Sequence, residues 1–178
     1  AAGLMLDRIW SGWRAAYVTD APSRQDGHDA AGSVFTQLLN SGAPDEETHI
    51  VYRGKLVFAV LNIHPYTSGH VLVLPYREVA DLNDLTPDET TELWATVSAT
   101  VDAVRSAYAP DGANVGLNLG RAAGGSVPTH LHVHVVPRWT GDSNFMSSIA
   151  NAQTLPEALE VSAGRLRAAF GRHLPADA

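Results

Sequence analysis

The 178-residue chain contains no cysteine, which excludes disulfide bridges, thiol nucleophiles and thiolate metal sites without fixing a compartment. Lysine is nearly absent too: of the 12 basic residues only Lys55 is a lysine, and the formal net charge is −7. That balance offers no broad basic surface, so nucleic acid is not an expected partner, and an anionic ligand has to be met by positive groups arranged locally. No apolar run approaches the length that crosses a bilayer, and the stretch from Ala1 to Arg8 lacks the long apolar core of a signal peptide. The expectation is a cytoplasmic protein with no membrane partner. With 45% hydrophobic residues the chain can bury one core, and a single domain over 1–178 is expected, divided into an N-terminal extension at 1–32, a core at 33–140, and a loop with a C-terminal helix at 141–178.

Histidine, by contrast, is concentrated. Three of the eight stand at His130, His132 and His134, alternating with Leu131, Val133 and Val135 between Thr129 and Arg138. Read as a strand, period two sends the apolar side chains into a core and sets the three imidazoles on the opposite face, where the outer two can flank a substrate atom held by the middle one. Two other uses fit the same residues. They can be exposed strand histidines, or a His-x-His pair can offer two nitrogens to a zinc ion completed by a further ligand.

The remaining chain surrounds this stretch with recognisable elements. Residues 4 to 17, with Trp10 and Trp13, fit a short amphipathic helix or a wrapped arm, packed on the core or on another subunit, and 19 to 32 read as a loop. Val34, Phe35, Leu38 and Leu39 fall on one helical face that Ser33 can cap. Thr48 to Tyr52 and Leu56 to Leu61 form a hairpin around Arg53-Gly54-Lys55, and His70 to Pro75 is the next strand. Thr86-Pro87-Asp88-Glu89 is a capping box that opens a helix running to about Tyr108, with Leu93, Trp94, Val97, Val101 and Val104 on its stripe. Ala113 to Leu119 is a strand with Asn114 and Asn118 on one face. The turn Gly120 to Pro128 follows. Its glycines let backbone N–H groups approach an anion, while Ser126 adds a hydroxyl and Arg121 a charge. Thr154 to Glu157 caps a last helix with Leu159, Ala163, Leu166, Ala169 and Phe170 inward. Grouped strands argue for an α+β fold with an antiparallel sheet.

The pattern His-φ-His-φ-His-φ-φ, filled by His130 to Val136, resembles the signature of the histidine triad (HIT) superfamily of nucleotidyl hydrolases and transferases. The resemblance extends over about residues 33 to 140. With Gly124-Gly125-Ser126 before the triad and Pro137-Arg138-Trp139 after it, the chain looks most like the diadenosine tetraphosphate phosphorylases of actinobacteria. It implies a HIT-like α+β fold with an antiparallel sheet of about five strands, one long helix and flanking N- and C-terminal helices. It also implies homodimers built through the long helix and a shared sheet edge, and Trp10, Trp13 and Trp139 make homotetramers the larger alternative.

For the chemistry, the resemblance implies that His132 attacks the α-phosphorus of a dinucleoside polyphosphate, that His130 and His134 hydrogen-bond phosphate and leaving-group oxygens, and that Gly124, Gly125 and Ser126 support the α-phosphate, where a Gln often stands in place of Ser126. Asn62, eight residues before His70, matches the ribose anchor of related hydrolases. Phe35, Leu38, Leu61 and Ile63 flank it and are the expected adenine wall, and Asn118 and His70 are further substrate-binding candidates. Many members carry Cys-x-x-Cys, half of a structural zinc site, where Ser33 and Thr36 stand here. Hydroxyls are poor zinc ligands beside thiolates, so no metal site is expected and no cofactor is required, Mg²⁺ serving as a companion of the polyphosphate. The expected activity is cleavage of diadenosine tetraphosphate with phosphate to ADP and ATP. The alternatives are a dinucleoside polyphosphate or phosphoramidate hydrolase and, in another class, a nucleotide-binding regulatory module without turnover.

Overall fold

The computed structural model describes residues 32–142 and 157–173. The expected segment with Trp10 and Trp13, most of the loop after Trp139, and residues 154–156 of the second capping box lie outside them. Helix α1 (Val34–Asn40) begins where the Ser33 side chain accepts the Thr36 N–H. A short helix α2 (Asp45–Thr48), with acidic Asp45, Glu46 and Glu47 in its first turn, fills a stretch the sequence pattern leaves without an element and takes Thr48 from the expected strand, which starts only after His49 in the left-handed region, φ 57°.

Strands β1 (Ile50–Arg53) and β2 (Val57–Leu61) form the hairpin expected around Gly54, whose N–H donates to the Val57 carbonyl at 2.9 Å. Strand β3 (Val71–Pro75) follows, then the long helix α3 (Pro87–Tyr108), β4 (Gly112–Leu117), β5 (Val133–Arg138) and helix α4 (Leu159–His173). The sheet order is β1-β2-β3-β5-β4 and every pairing is antiparallel. This is the expected α+β architecture with five strands.

Helix α3 starts as the capping box requires: Thr86 Oγ1 accepts the Glu89 N–H at 3.2 Å, and Glu89 Oε2 accepts the Thr86 N–H at 2.8 Å. Arg77 grips the same carboxylate at 2.7 Å, and this pairing holds the Glu89 carboxyl down at about 2. Pleating gives the sheet two distinct faces. Val57, Ala59, Leu61, Val71, Val73, Val133 and Val135 face α3 and α4, packing on Leu93, Val97, Val104, Leu166 and Phe170. Phe58, Val60, Leu72 and Leu74 face the other way, under Phe35 of α1. Trp94 departs from the expected stripe, 43% exposed, because it follows the fully buried Leu93 and one helical step turns a side chain about 100°.

The triad does not lie on one strand. Strand β5 begins at Val133, so only His134 belongs to it, while His130 and His132 belong to the approach. Leu131 donates its N–H to the Val79 carbonyl at 2.6 Å rather than to a sheet neighbour, and His130 turns inward to polar partners and is fully buried. Satisfying those buried partners outweighs continuing the pleat.

Candidate active site

Each of the four histidines at the site has a tautomer that its hydrogen bonds dictate. A carbonyl oxygen only accepts. His130 therefore carries its proton on Nε2, which donates to the Pro75 carbonyl at 2.9 Å, and its Nδ1 accepts the Ser33 hydroxyl at 2.7 Å. His132 carries its proton on Nδ1, which donates to the His130 carbonyl at 2.8 Å. Its Nε2 is left with a lone pair and accepts from no described residue. The Tyr66 N–H donates to His70 Nδ1 at 3.1 Å, so the His70 proton is on Nε2 and goes to His134 Nδ1 at 2.9 Å. That in turn places the His134 proton on Nε2, a buried atom with no partner among the described residues. The chain thus sets side by side an unprotonated nitrogen on His132 and an unused N–H on His134, in rings whose centroids are 5.0 Å apart.

Neutral rings are a condition of this scheme, and burial supplies it. Burial and the neighbouring imidazoles push His70 down to about 3, and burial with His132 pushes His134 down to about 4. His130 and His132 are lowered as well, chiefly by burial, although the Pro75 carbonyl and the Glu78 charge favour a charged His130 and the His130 carbonyl favours a charged His132. At neutral pH all four are uncharged and each holds one proton.

The other expected site residues are placed as follows. His70 is fully buried and touches His134 rather than the cleft. The ring of His130 is closed off as well, with both nitrogens bonded inside the protein, so its expected bond to a phosphate oxygen has no donor left to make it. Asn62 accepts the His64 N–H through Oδ1 at 3.0 Å, a turn-forming bond, and leans Nδ2 on His70 Nδ1 at 3.4 Å. Phe35 lies 5.5 Å from the His130 ring and 5.4 Å from that of His132, with Leu38 beside its cluster. Leu61 is not brought to this wall: pleating turns it to the α3 face. Ile63 is 60% exposed.

A cleft of about 590 Å³ runs over β4 and β5, lined by Tyr66, Asn114, Gly116, Asn118, Gly124 and His134. Gly116 is paired opposite His134, so the cleft floor beside the imidazole carries no side chain. In the glycine turn, Gly124 (φ 91°) spends its N–H on the Arg121 carbonyl at 3.0 Å. It therefore cannot also donate to a phosphate, contrary to the expectation, whereas Gly125 and Ser126 make no hydrogen bond within the described residues. Tyr66, whose ring lies 4.9 Å from that of His70, and Gly116 were missed from the sequence. Period two from Asn114 and Asn118 would have found Gly116.

The family model of the HIT domain matches residues 43–141. The chain belongs to the HIT domain family. It is 46% identical over 156 residues to the AP-4-A phosphorylase of Mycobacterium tuberculosis strain H37Rv, covering 86% of this chain and 79% of that one. It is 40% identical over 95 residues to the asymmetrical bis(5'-nucleosyl)-tetraphosphatase of Schizosaccharomyces pombe, covering 53% and 52%. Among solved structures, the zinc-bound histidine triad family protein of Mycobacterium smegmatis superposes with a TM-score of 0.63 at 32% identity, over 78% of this chain and 93% of that one.

The structural zinc that accompanies Cys-x-x-Cys in the family does not fit the donor set here. Ser33, Thr36, Glu78 and His130 are bonded to one another instead: Glu78 Oε2 accepts the Ser33 N–H at 2.8 Å and the Thr36 hydroxyl at 2.6 Å, and Ser33 holds His130. Burial opposes the charge on Glu78, but these donors prevail and hold its carboxyl at about 2. Among the described residues no group of three or more His, Cys, Asp or Glu is arranged to hold a metal ion.

Proposed function

We propose that this chain is a nucleotidyltransferase that cleaves diadenosine tetraphosphate with phosphate to ADP and ATP. The observation that carries the reading is the Nε2 of His132, unprotonated at neutral pH and without a partner among the described residues, in a ring whose centroid lies 5.0 Å from that of His134, which carries an unused N–H. In the first displacement Nε2 of His132 forms a bond to the α-phosphorus as the bond to the bridging oxygen breaks and ATP leaves. The attacking ring becomes cationic, and the His130 carbonyl on its Nδ1–H stabilises that charge. His134 Nε2–H donates to the oxygen that gains negative charge, and the Gly125 amide and Ser126 hydroxyl meet the non-bridging oxygens. Phosphate oxygen then attacks the phosphorus, the P–N bond breaks, and ADP forms with His132 restored.

The 46% identity to a protein named AP-4-A phosphorylase favours phosphate over water as acceptor. The test is to incubate the chain with diadenosine tetraphosphate with and without phosphate: ADP plus ATP only when phosphate is present is expected. AMP plus ATP in its absence would make the enzyme a hydrolase, and nucleotide binding without products a regulatory module.

Mg²⁺ accompanies the substrate rather than the chain, and less than stoichiometric zinc by elemental analysis is expected. The partners are the dinucleoside polyphosphate and phosphate, with neither nucleic acid nor membrane; among the described residues no helix is long and apolar enough to cross a membrane. The chain acts in the cytoplasm as a homodimer or homotetramer. The open edge of β4, with Val115 44% exposed, supports association, and light scattering tests it.

A further inference from the structure

We infer that Ser33 is a positioning residue for the nucleophilic imidazole, acting through His130. The inference rests on the reaction proposed above, and its starting point is that His130 cannot reach substrate. The His130 ring is fully buried, Nε2–H is given to Pro75, and Nδ1 is left as an acceptor whose donor is the Ser33 hydroxyl. What His130 offers the site is its carbonyl, on which the His132 N–H rests and which thereby decides where Nε2 of His132 points.

The hydroxyl of Ser33 has two functions that differ in direction. As the cap of α1 its oxygen accepts the Thr36 N–H at 3.2 Å. Toward His130 the same group donates. Capping needs only the accepting lone pair, and glycine caps a helix nearly as well as serine. The donating function is the one that no other described group supplies. Ser33 is itself fully buried, its N–H is tied to Glu78, and Glu78 also holds Thr36, so the serine is fixed at both its backbone and its helix. Without the hydroxyl, Nδ1 of His130 becomes a buried acceptor with no donor. The ring is then held at Nε2 alone and can pivot about that bond to Pro75, and the carbonyl carrying His132 loses its support. A small displacement of a nucleophile from its line of attack costs rate far more than it costs binding.

The experiment compares the unaltered chain with Ser33→Gly, which keeps the cap, and Ser33→Thr, which keeps the hydroxyl. In ¹⁵N-histidine spectra of the full chain, His130 should show protonated Nε2 and hydrogen-bonded Nδ1 in the unaltered protein and in Ser33→Thr. In Ser33→Gly its Nδ1 resonance should shift. With diadenosine tetraphosphate and phosphate, Ser33→Gly should lose between about tenfold and about a hundredfold in kcat with KM changed less than about threefold, and Ser33→Thr should recover most of the loss. Unchanged His130 resonances and unchanged kcat in Ser33→Gly would overturn the inference. So would a folded Ser33→Gly whose kcat loss Ser33→Thr does not recover. The spectra do not require turnover, so a failure of the proposed reaction is read separately, from the unaltered chain's products.

Discussion

Replacing His70 tests the proton arrangement most directly, because this imidazole does not line the cleft and its one donated hydrogen bond goes to His134. Its Nε2–H is what forces the His134 proton onto Nε2, the nitrogen without a partner among the described residues. In His70→Ala the Nδ1 of His134 becomes a buried acceptor without a donor, at a cost of about 1 to 3 kcal/mol, and both of its tautomers become accessible. Where that cost falls on the transition state, in which the proposed reaction has His134 donate, the chemical step slows by about tenfold to about a hundredfold. Alanine also leaves a cavity beneath Tyr66 and His134, whose ring centroids lie 4.9 and 5.1 Å from that of His70. His70→Gln separates the two effects. Its amide can accept from Tyr66 and donate toward His134, and it should retain most of the single-turnover rate that alanine loses. The pH dependence supplies a second reading. Folded His70 takes its proton only near about 3, whereas an unfolded histidine takes it near about 6.5, so between these values unfolding takes up a proton and stability falls as pH falls. Glutamine does not titrate, and urea denaturation of His70→Gln between neutral pH and the acid range should show a slope shallower by up to about 1.4 kcal/mol per pH unit. A single-turnover rate in folded His70→Ala within about twofold of the original would refute the relay.

Three further outcomes are expected. His132→Ala should remove nucleotidyl transfer by about 10⁴-fold or more while retaining nucleotide binding, and alkaline quenching of the unaltered protein should leave labelled nucleotide on His132; label on another histidine would reassign the nucleophile. Gly69→Ala should lower the melting temperature, because Gly69 has φ 80° and an added Cβ would stand 2.6 Å from Tyr108 Cε2, pressing on a ring whose hydroxyl donates to Glu157 at 2.8 Å; a calorimetric melt at the original temperature would contradict this. Acidification should destabilise the fold in two overlapping ranges, the buried histidines acting as pH falls below about 6.5 and the depressed carboxyls of Glu78 and Glu89 acting below about 4.5, so Glu78→Gln should flatten only the lower range of a denaturation series.

Much of the fold was legible because it depends on local signals. The capping box at Thr86 and the hairpin at Gly54 are written in residues three or four apart, and both form as expected. The middle histidine was marked by its spacing. What could not be seen is what depends on partners far along the chain. Period two alone would have kept His130 on the open face, and only Ser33 and Pro75, 97 and 55 residues away, explain why it turns inward. Leu61 was assigned to the adenine wall by closeness in sequence to Asn62, although pleating sends it to the other face. The Gly124 amide looked available because a glycine turn does not disclose which of its N–H groups its own carbonyls consume.

The bond between Ser33 and His130 closes 97 residues of chain, and the carbonyl of Pro75 belongs to a third stretch between them. The proposed nucleophile is therefore aligned only when helix α1, the end of β3 and the approach to β5 are assembled together. A partly folded state that lacks any one of them carries no aligned site, and the long closure costs it folding rate rather than stability. Loss of activity on denaturation should then coincide with separation of these three stretches, and enzyme assays during refolding report the moment at which all three are in place.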